Sequence, residues 1–360
     1  MEKKTLRIGV VGLGQIAQME WLPYLHELGE YTLCALCDVS SSMVKQMAKL
    51  WNVPGMYTDW REMLKNERLD ALVVLTINHT EICVAAAEAG LHLLIEKPLC
   101  DNLEQAELIR QAVVENHVTL MIGEMKRYDP GYLLGRNLIR NMKGLKLIRF
   151  RDYCDGLRRS QDEIMRVQIA SDVPELLREK NAREHREAMI QLTGGRDPAL
   201  VETLLMGGVH DVDLLRDICG EPEKVDYCDI WNHGADLLAH MTVKNGARAV
   251  LEVGKTQHKW FDEEIIAYGE EATVSIRFPN PYLKNAPTRV VIKEHSGTGY
   301  QERELTVSYD EAFRRELLHF YDCVVNKKLP DTCIEEGTAD IRLIQRIFSA
   351  YRQGGKEEIE

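Results

Sequence analysis

The feature that most constrains this chain is a glycine-rich turn set between a strand-like run and a helix-like run. Thr5–Val11 is short, apolar and rich in β-branched residues. Gly12-Leu13-Gly14-Gln15-Ile16-Ala17 follows at once, and Gln15–Leu28 reads as a helix. In this GxGxxA pattern Gly12 permits a tight turn and Gly14 lets the backbone approach a pyrophosphate. Ala17 lets helix and sheet pack closely, while Gln15 and Ile16 open a helix whose N–H groups and dipole favour an anion. The pattern alone is a weak signal, and Asp38 strengthens it. Asp38 closes a second apolar run, Tyr31–Cys37, where a carboxylate accepts hydrogen bonds from an adenine ribose. Together these residues predict a dinucleotide site. The charge of Asp38 repels a 2′-phosphate, and Val39-Ser40-Ser41 offers no Arg to receive one. NAD is therefore expected rather than NADP.

The alternation continues to about residue 122. Ser41–Trp51, Thr80–Ala89 and Leu103–Asn116 read as helices, Ala71–Thr76 and Leu91–Ile95 as apolar strands, and Val118–Ile122 as another strand. Continuous apolar strands joined by helices mean a parallel sheet covered on both faces, doubly wound by right-handed crossovers. After about residue 125 the pattern changes. Gly144–Tyr153 reads as a strand, the highly charged stretch Leu157–Leu192 as helix broken at Pro174, and the apolar stretch after Pro198 as one helix to about Cys219. Glu223–Thr306 is a series of short alternating strands with Gly, Asn and Pro turns, closed by amphipathic helices over Glu311–Asn326 and Thr338–Arg352. The expected fold class is an N-terminal Rossmann doubly wound sheet followed by an α+β part with an open, mostly antiparallel sheet. The expected domains are 1–124 for the dinucleotide, 125–335 for substrate and oligomerisation with a charged insertion at 157–192, and a closing helix in 336–360.

Composition narrows the function classes. The 360 residues carry 45 Lys and Arg against 57 Asp and Glu, a net charge of −12 that opposes binding to a phosphate backbone. No apolar stretch approaches the roughly 20 residues of a membrane span, and no signal peptide fits the start. Nine irregularly spaced cysteines argue for reduced thiols in a cytoplasmic protein. Cys34 and Cys37 form a CxxC, but on a strand they face opposite sides, so buried thiols are expected and no metal site.

Three further motifs carry chemistry. Glu96-Lys97-Pro98 follows the fifth strand, and ligands of open parallel sheets bind at carboxyl ends of strands. Lys97 is placed there either for proton transfer or as a surface-loop cation. Met125-Lys126-Arg127-Tyr128-Asp129-Pro130-Gly131-Tyr132 brings two cations and two aromatics to the same edge, with Asp129 and Pro130 also suited to start a helix. Met206, His210 and Asp213 share one face if the chain is helical throughout, which makes His210 either a core histidine or a ligand.

Taken together these residues resemble the glucose–fructose oxidoreductase, inositol dehydrogenase and rhizopine-catabolism family (Gfo/Idh/MocA), over nearly the whole chain. The resemblance rests on the GxGxxA turn, Thr76-Ile77-Asn78, Glu96-Lys97-Pro98, Lys126-Arg127-Tyr128-Asp129 and Gly208-Val209-His210-Asp211-Val212-Asp213. It implies hydride transfer between a secondary alcohol of a sugar, glycoside or cyclitol and NAD. Lys97 would bond the reacting oxygen and His210 would be the acid/base. Thr76, Asn78 and Glu96 would join Gly12, Gly14, Gln15, Ile16, Asp38 and Lys97 around the cofactor. Arg127, Tyr128, His258 and Trp260 would complete the substrate pocket, Trp260 having core filling as its alternative. A homodimer or higher homo-oligomer through the C-terminal sheet is implied, with no nucleic-acid or membrane partner. Two departures stand out: Met206 holds the place where many relatives have Asp, and 157–192 is longer and more charged than a plain connection. That insertion covers the active site, lies at an interface, or is a solvated helical face. A catalytically silent NAD-binding regulator and an enzyme that recycles a tightly held NAD are the alternatives.

Overall fold

The computed structural model describes residues 4–155, 167–256 and 261–351. The chain forms two compact units. The first gathers Met1–Tyr128, Gln161–Ala188 and Glu311–Thr338, and the second Asp129–Ser160, Met189–Asp310 and Ala339–Glu360. Among the described residues no helix is long and apolar enough to cross a membrane.

The first unit is built on a six-stranded parallel sheet of β1 (Leu6–Val11), β2 (Tyr31–Cys37), β3 (Gly55–Tyr57), β4 (Ala71–Val74), β5 (His92–Glu96) and β6 (Leu120–Gly123). Their order is β3-β2-β1-β4-β5-β6. This is the doubly wound order, in which the direction of winding reverses between β1 and β4 and leaves a crevice at the carboxyl ends. The apolar runs are apolar because both faces are covered: every residue of β4 is buried. Ser40, Asp59 and Asn102 cap the helices that follow, accepting bonds from the N–H groups of Met43, Arg61 and Gln105. The expected helix over Gln15–Leu28 is present in two parts, a widened π-turn at Ala17–Trp21 and an α-helix at Leu22–Glu27. β3 and the helix Trp60–Asn66 lack an apolar run and escape a sequence reading.

The helix Ala312–Asn326 belongs to this unit. Its Phe313, Leu317 and Phe320 are buried in one cluster with Trp21, Leu22 and Leu25, and the Trp21 and Phe313 rings meet edge-on at 6.0 Å. Cys34 and Cys37 are buried free thiols of β2, and burial pushes the Cys37 thiol up to about 12.

The second unit is an eight-stranded sheet of β7 (Leu147–Asp155), β8 (Lys224–Trp231), β9 (Asp236–Thr242), β10 (Arg248–Thr256), β11 (Asp262–Tyr268), β12 (Ala272–Phe278), β13 (Arg289–Ser296) and β14 (Gly299–Thr306), in the order β14-β13-β12-β11-β7-β10-β9-β8. Only β7 and β10 pair in parallel; the other neighbours are antiparallel. Ile148 and Phe150 of β7 are buried, whereas Arg149 pairs with Glu252 and Arg151 with Asp262 and Glu264. The period of two thus separates a packed face from a face laddered with ion pairs. Asp217 fastens two helices, accepting from the Tyr132 hydroxyl at 2.5 Å and pairing with Arg136 at 3.0 Å and Arg140 at 2.7 Å.

One expectation is corrected here. The stretch from Pro198 to Cys219 is two helices, Ala199–Met206 and Val209–Cys219, broken at Gly207 and Gly208. A Cβ on Gly208 would lie 2.8 Å from Val253 of β10, so the break brings backbone against the sheet. Met206 therefore ends one helix and His210 lies in the first turn of the next.

Phe320→Ala should cost about 3–5 kcal/mol and loosen the whole first unit, seen as faster hydrogen exchange of the β1 and β4 amides. Loss of protection confined to 311–338 would show that this helix is peripheral to the unit.

Candidate active site

The Gly12 backbone has φ +92°, and a Cβ there would stand 2.9 Å from the Leu75 carbonyl carbon. Only glycine fits this turn without strain. Around Gly14 the opposite holds: a Cβ would meet nothing within 4 Å, which leaves the room a pyrophosphate needs beside the first-turn N–H groups of Gln15 and Ile16. Asp38 ties this turn to the end of β2. Its Oδ2 accepts from Leu13 N–H at 2.8 Å and its Oδ1 from Ser40 N–H at 2.9 Å, and Gly12 N–H donates to the Cys37 carbonyl.

Thr76 and Asn78 lie in the loop after β4, Glu96 ends β5 and Lys97 follows it. Since the strands are parallel, these groups share one edge of the sheet with Gly12, Gly14, Gln15, Ile16 and Asp38. The structure thus brings together all the predicted cofactor residues at carboxyl ends. Asn78 Nδ2 donates to the Asn181 carbonyl at 3.1 Å, while its buried Oδ1 has no hydrogen-bond partner among the described residues. An orphaned acceptor, the open space at Gly14 and the Asp38 carboxylate fit a dinucleotide with donor and hydroxyl groups.

Sequence reasoning missed His79. Its ring is buried, with Nδ1 2.8 Å from the Thr76 carbonyl and Nε2 2.7 Å from the Leu99 carbonyl. It clamps the β4 loop to the β5 loop, so Asn78 and Lys97 are held by one side chain between them. Lys97 is half-buried and its peptide bond to Pro98 is cis.

A cluster of buried carboxyls behind Lys97 was also missed. Glu96 accepts from the Trp21 indole N–H at 2.7 Å and from Lys97 N–H at 3.1 Å, and burial raises its pKa. Burial pushes Glu124 up to about 7 against the pull of Lys97, Lys126 and Arg127. Glu316 is fully buried, both its oxygens lack hydrogen bonds among the described residues, and burial with the nearby Glu96 and Glu124 holds it well above the usual carboxylate range. The signal was available. Glu316 sits on the apolar stripe of Phe313, Leu317 and Phe320, where a carboxylate is out of place.

Arg127 and Tyr128 belong to a 3₁₀ turn, Met125–Tyr128, all of it buried. Arg127 donates to the Asp331 carbonyl at 3.3 Å; the Tyr128 hydroxyl is 2.9 Å from Thr332 Oγ1, and its ring packs on His319. His210 lies in the second unit, half-buried in the first turn of Val209–Cys219, with Asp211 and Asp213 buried on the same helix. His258 and Trp260 lie outside the described residues.

Comparison with known proteins agrees with this geometry. Residues 6–124 match the model of an oxidoreductase family with an NAD-binding Rossmann fold, and residues 202–359 that family's C-terminal alpha/beta domain. The chain is 35% identical to a Salmonella typhimurium protein named as an oxidoreductase, YceM, over 36% of this chain and 42% of that one. It is 22% identical to the scyllo-inositol 2-dehydrogenase (NAD(+)) of Bacillus subtilis, over 97% and 95% of the two chains. In fold it resembles KijD10, a 3-ketoreductase from Actinomadura kijaniata solved with NADP and TDP-benzene, with a TM-score of 0.74, 17% identity and coverage of 97% and 98%.

The Glu124 carboxyl has a measurable consequence. Its pKa is near 4.5 when unperturbed and about 7 here, so between these values the folded state holds a proton that the unfolded state has released. Its contribution to stability is present at the acid end and lost as pH rises through about 7, a span of at most about 3 kcal/mol. Glu124→Gln should flatten the dependence of denaturation midpoint on pH between 5 and 7.5. An unchanged slope would assign the carboxyl an ordinary pKa.

Proposed function

Because the chain belongs to the Gfo/Idh/MocA oxidoreductase family, we propose that it oxidises or reduces a secondary-alcohol carbon of a sugar, glycoside or cyclitol with NAD as the hydride partner. The observation that carries this reading is the meeting of the Gly12–Ala17 turn, Asp38 and Lys97 at one sheet edge. When bound, the nicotinamide would accept or supply the hydride, and everything else falls to the side chains.

Asp38 would hold the adenine ribose, and the Gln15 and Ile16 N–H groups the pyrophosphate. Thr76 and Asn78 would meet the nicotinamide end, with the unpartnered Asn78 Oδ1 as acceptor. Glu96 fixes the start of the Lys97 loop through its bond to Lys97 N–H. The Lys97 ammonium would hydrogen-bond the reacting oxygen and stabilise charge developing on it. His210 would take the hydroxyl proton in oxidation and return it in reduction, a task suited to an imidazole near neutral pH. Arg127 and Tyr128 would bound the substrate side, together with His258 and Trp260. The charged, open face of the second sheet would pair protomers.

The NAD preference rests on Asp38, whose carboxylate opposes a 2′-phosphate. The inositol dehydrogenase relative supports both the polyol class and NAD; KijD10, a 3-ketoreductase, was solved with the phosphorylated coenzyme.

Lys97→Ala should lower kcat about 10²–10⁴-fold while NAD still binds, read as absorbance at 340 nm against a panel of sugars, inositols and glycosides. Wild-type turnover in that variant would remove Lys97 from the chemistry. Silence of the wild type across the panel, with NAD bound, would favour the regulator.

A further inference from the structure

The charged insertion enters the first unit at a telling place. Its residues 168–188 follow the carboxyl edge of the parallel sheet. Gln168 exchanges two hydrogen bonds with the buried Gln18, one residue beyond the GxGxxA turn, at 2.8 and 3.1 Å. Asp172 lies at the end of β2, Asn181 offers its carbonyl to Asn78 after β4, His185 stands 2.9 Å from Asp101 after β5, and the Ala188 carbonyl accepts from Asn102. One segment thus contacts residues that follow β1, β2, β4 and β5, the carboxyl edge along which a dinucleotide would lie.

The Asp172 contacts are the most specific. One carboxylate oxygen accepts from the hydroxyls of Ser40 and Ser42, the latter at 2.8 Å, and the other from Ser42 N–H at 2.9 Å. Ser40 is the cap of the helix Ser41–Trp51, so a carboxylate here also meets the positive end of that helix. Two hydroxyls and a first-turn N–H are the donors a phosphate oxygen would use. They lie two to four residues past Asp38, where the 2′-substituent of an adenine ribose falls. These bonds hold Asp172 at about 2, ionised at any working pH.

We propose that Asp172 is a built-in substitute for the coenzyme 2′-phosphate: it fills the donor set of Ser40 and Ser42, excludes NADP, and pins the 168–188 segment along the coenzyme edge. The proposal rests on the reading that this edge binds a nicotinamide dinucleotide. It adds a second determinant to Asp38, contributed from a segment more than 130 residues away in sequence. A 2′-phosphate would have to displace Asp172 and then stand between two carboxylates, whereas the 2′-hydroxyl of NAD leaves the contact intact.

The test is the dissociation constants of NAD and NADP, by titration of intrinsic fluorescence, for the wild type, Asp172→Asn and Asp172→Ala. Asn keeps the shape and loses the charge; Ala also empties the donor set. The expected result is NAD preferred by the wild type, with the NADP constant falling at least tenfold in Asp172→Ala and less in Asp172→Asn, and the NAD constant moving less than threefold. A NADP-to-NAD ratio unchanged in both variants, in a wild type that binds NAD, would overturn the proposal and leave the coenzyme reading standing. A wild type that binds neither dinucleotide would overturn the coenzyme reading itself, and this proposal with it.

Discussion

The bond from Leu13 N–H to Asp38 Oδ2 is the contact on which the rest of the site depends. It joins the turn after β1 to the end of β2 across the point where a dinucleotide would lie. It follows directly on Gly12, whose φ of +92° turns the chain at the end of β1. The same carboxylate accepts from Ser40 N–H, and Ser40 in turn caps the next helix and donates to Asp172. A single acidic side chain thereby sets the turn, the start of a helix and the seat of a distant segment.

Around this centre the buried polar groups form linked supports. His79 ties the β4 loop to the β5 loop, Trp21 holds Glu96, and Glu96 holds the Lys97 backbone. Buried polar groups that are satisfied in this way rigidify what they touch. Glu316 differs: its buried carboxyl oxygens have no hydrogen-bond partner among the described residues, and burial raises its pKa, which favours the neutral form.

Much of this was legible in the residues. β4 and β5 were plain because burial on both faces demands unbroken apolar runs, and the second sheet because one face is packed and the other laddered with charge. The place of Gly12, Asp38 and Lys97 at one edge was legible because parallel strands gather their carboxyl ends. What escaped was set by distance in space. Gly207 and Gly208 pass as tolerated interruptions of an apolar helix until β10 is seen against them. His79 looks like a loop residue until its two carbonyl partners, one of them 20 positions on, are known. The docking of Asp172 on Ser40 and Ser42, and the return of Ala312–Asn326 to the Trp21 cluster, leave no trace in local periodicity.

That return has a consequence for synthesis. Trp21, Leu22 and Leu25 leave the ribosome early, but Phe313, Leu317 and Phe320, which cover them, come nearly 300 residues later. At about 5–20 residues per second the uncovered face waits roughly 15–60 s. During that interval the nascent parallel sheet carries a bare aromatic patch, and it is then that a holdase chaperone would have something to grip.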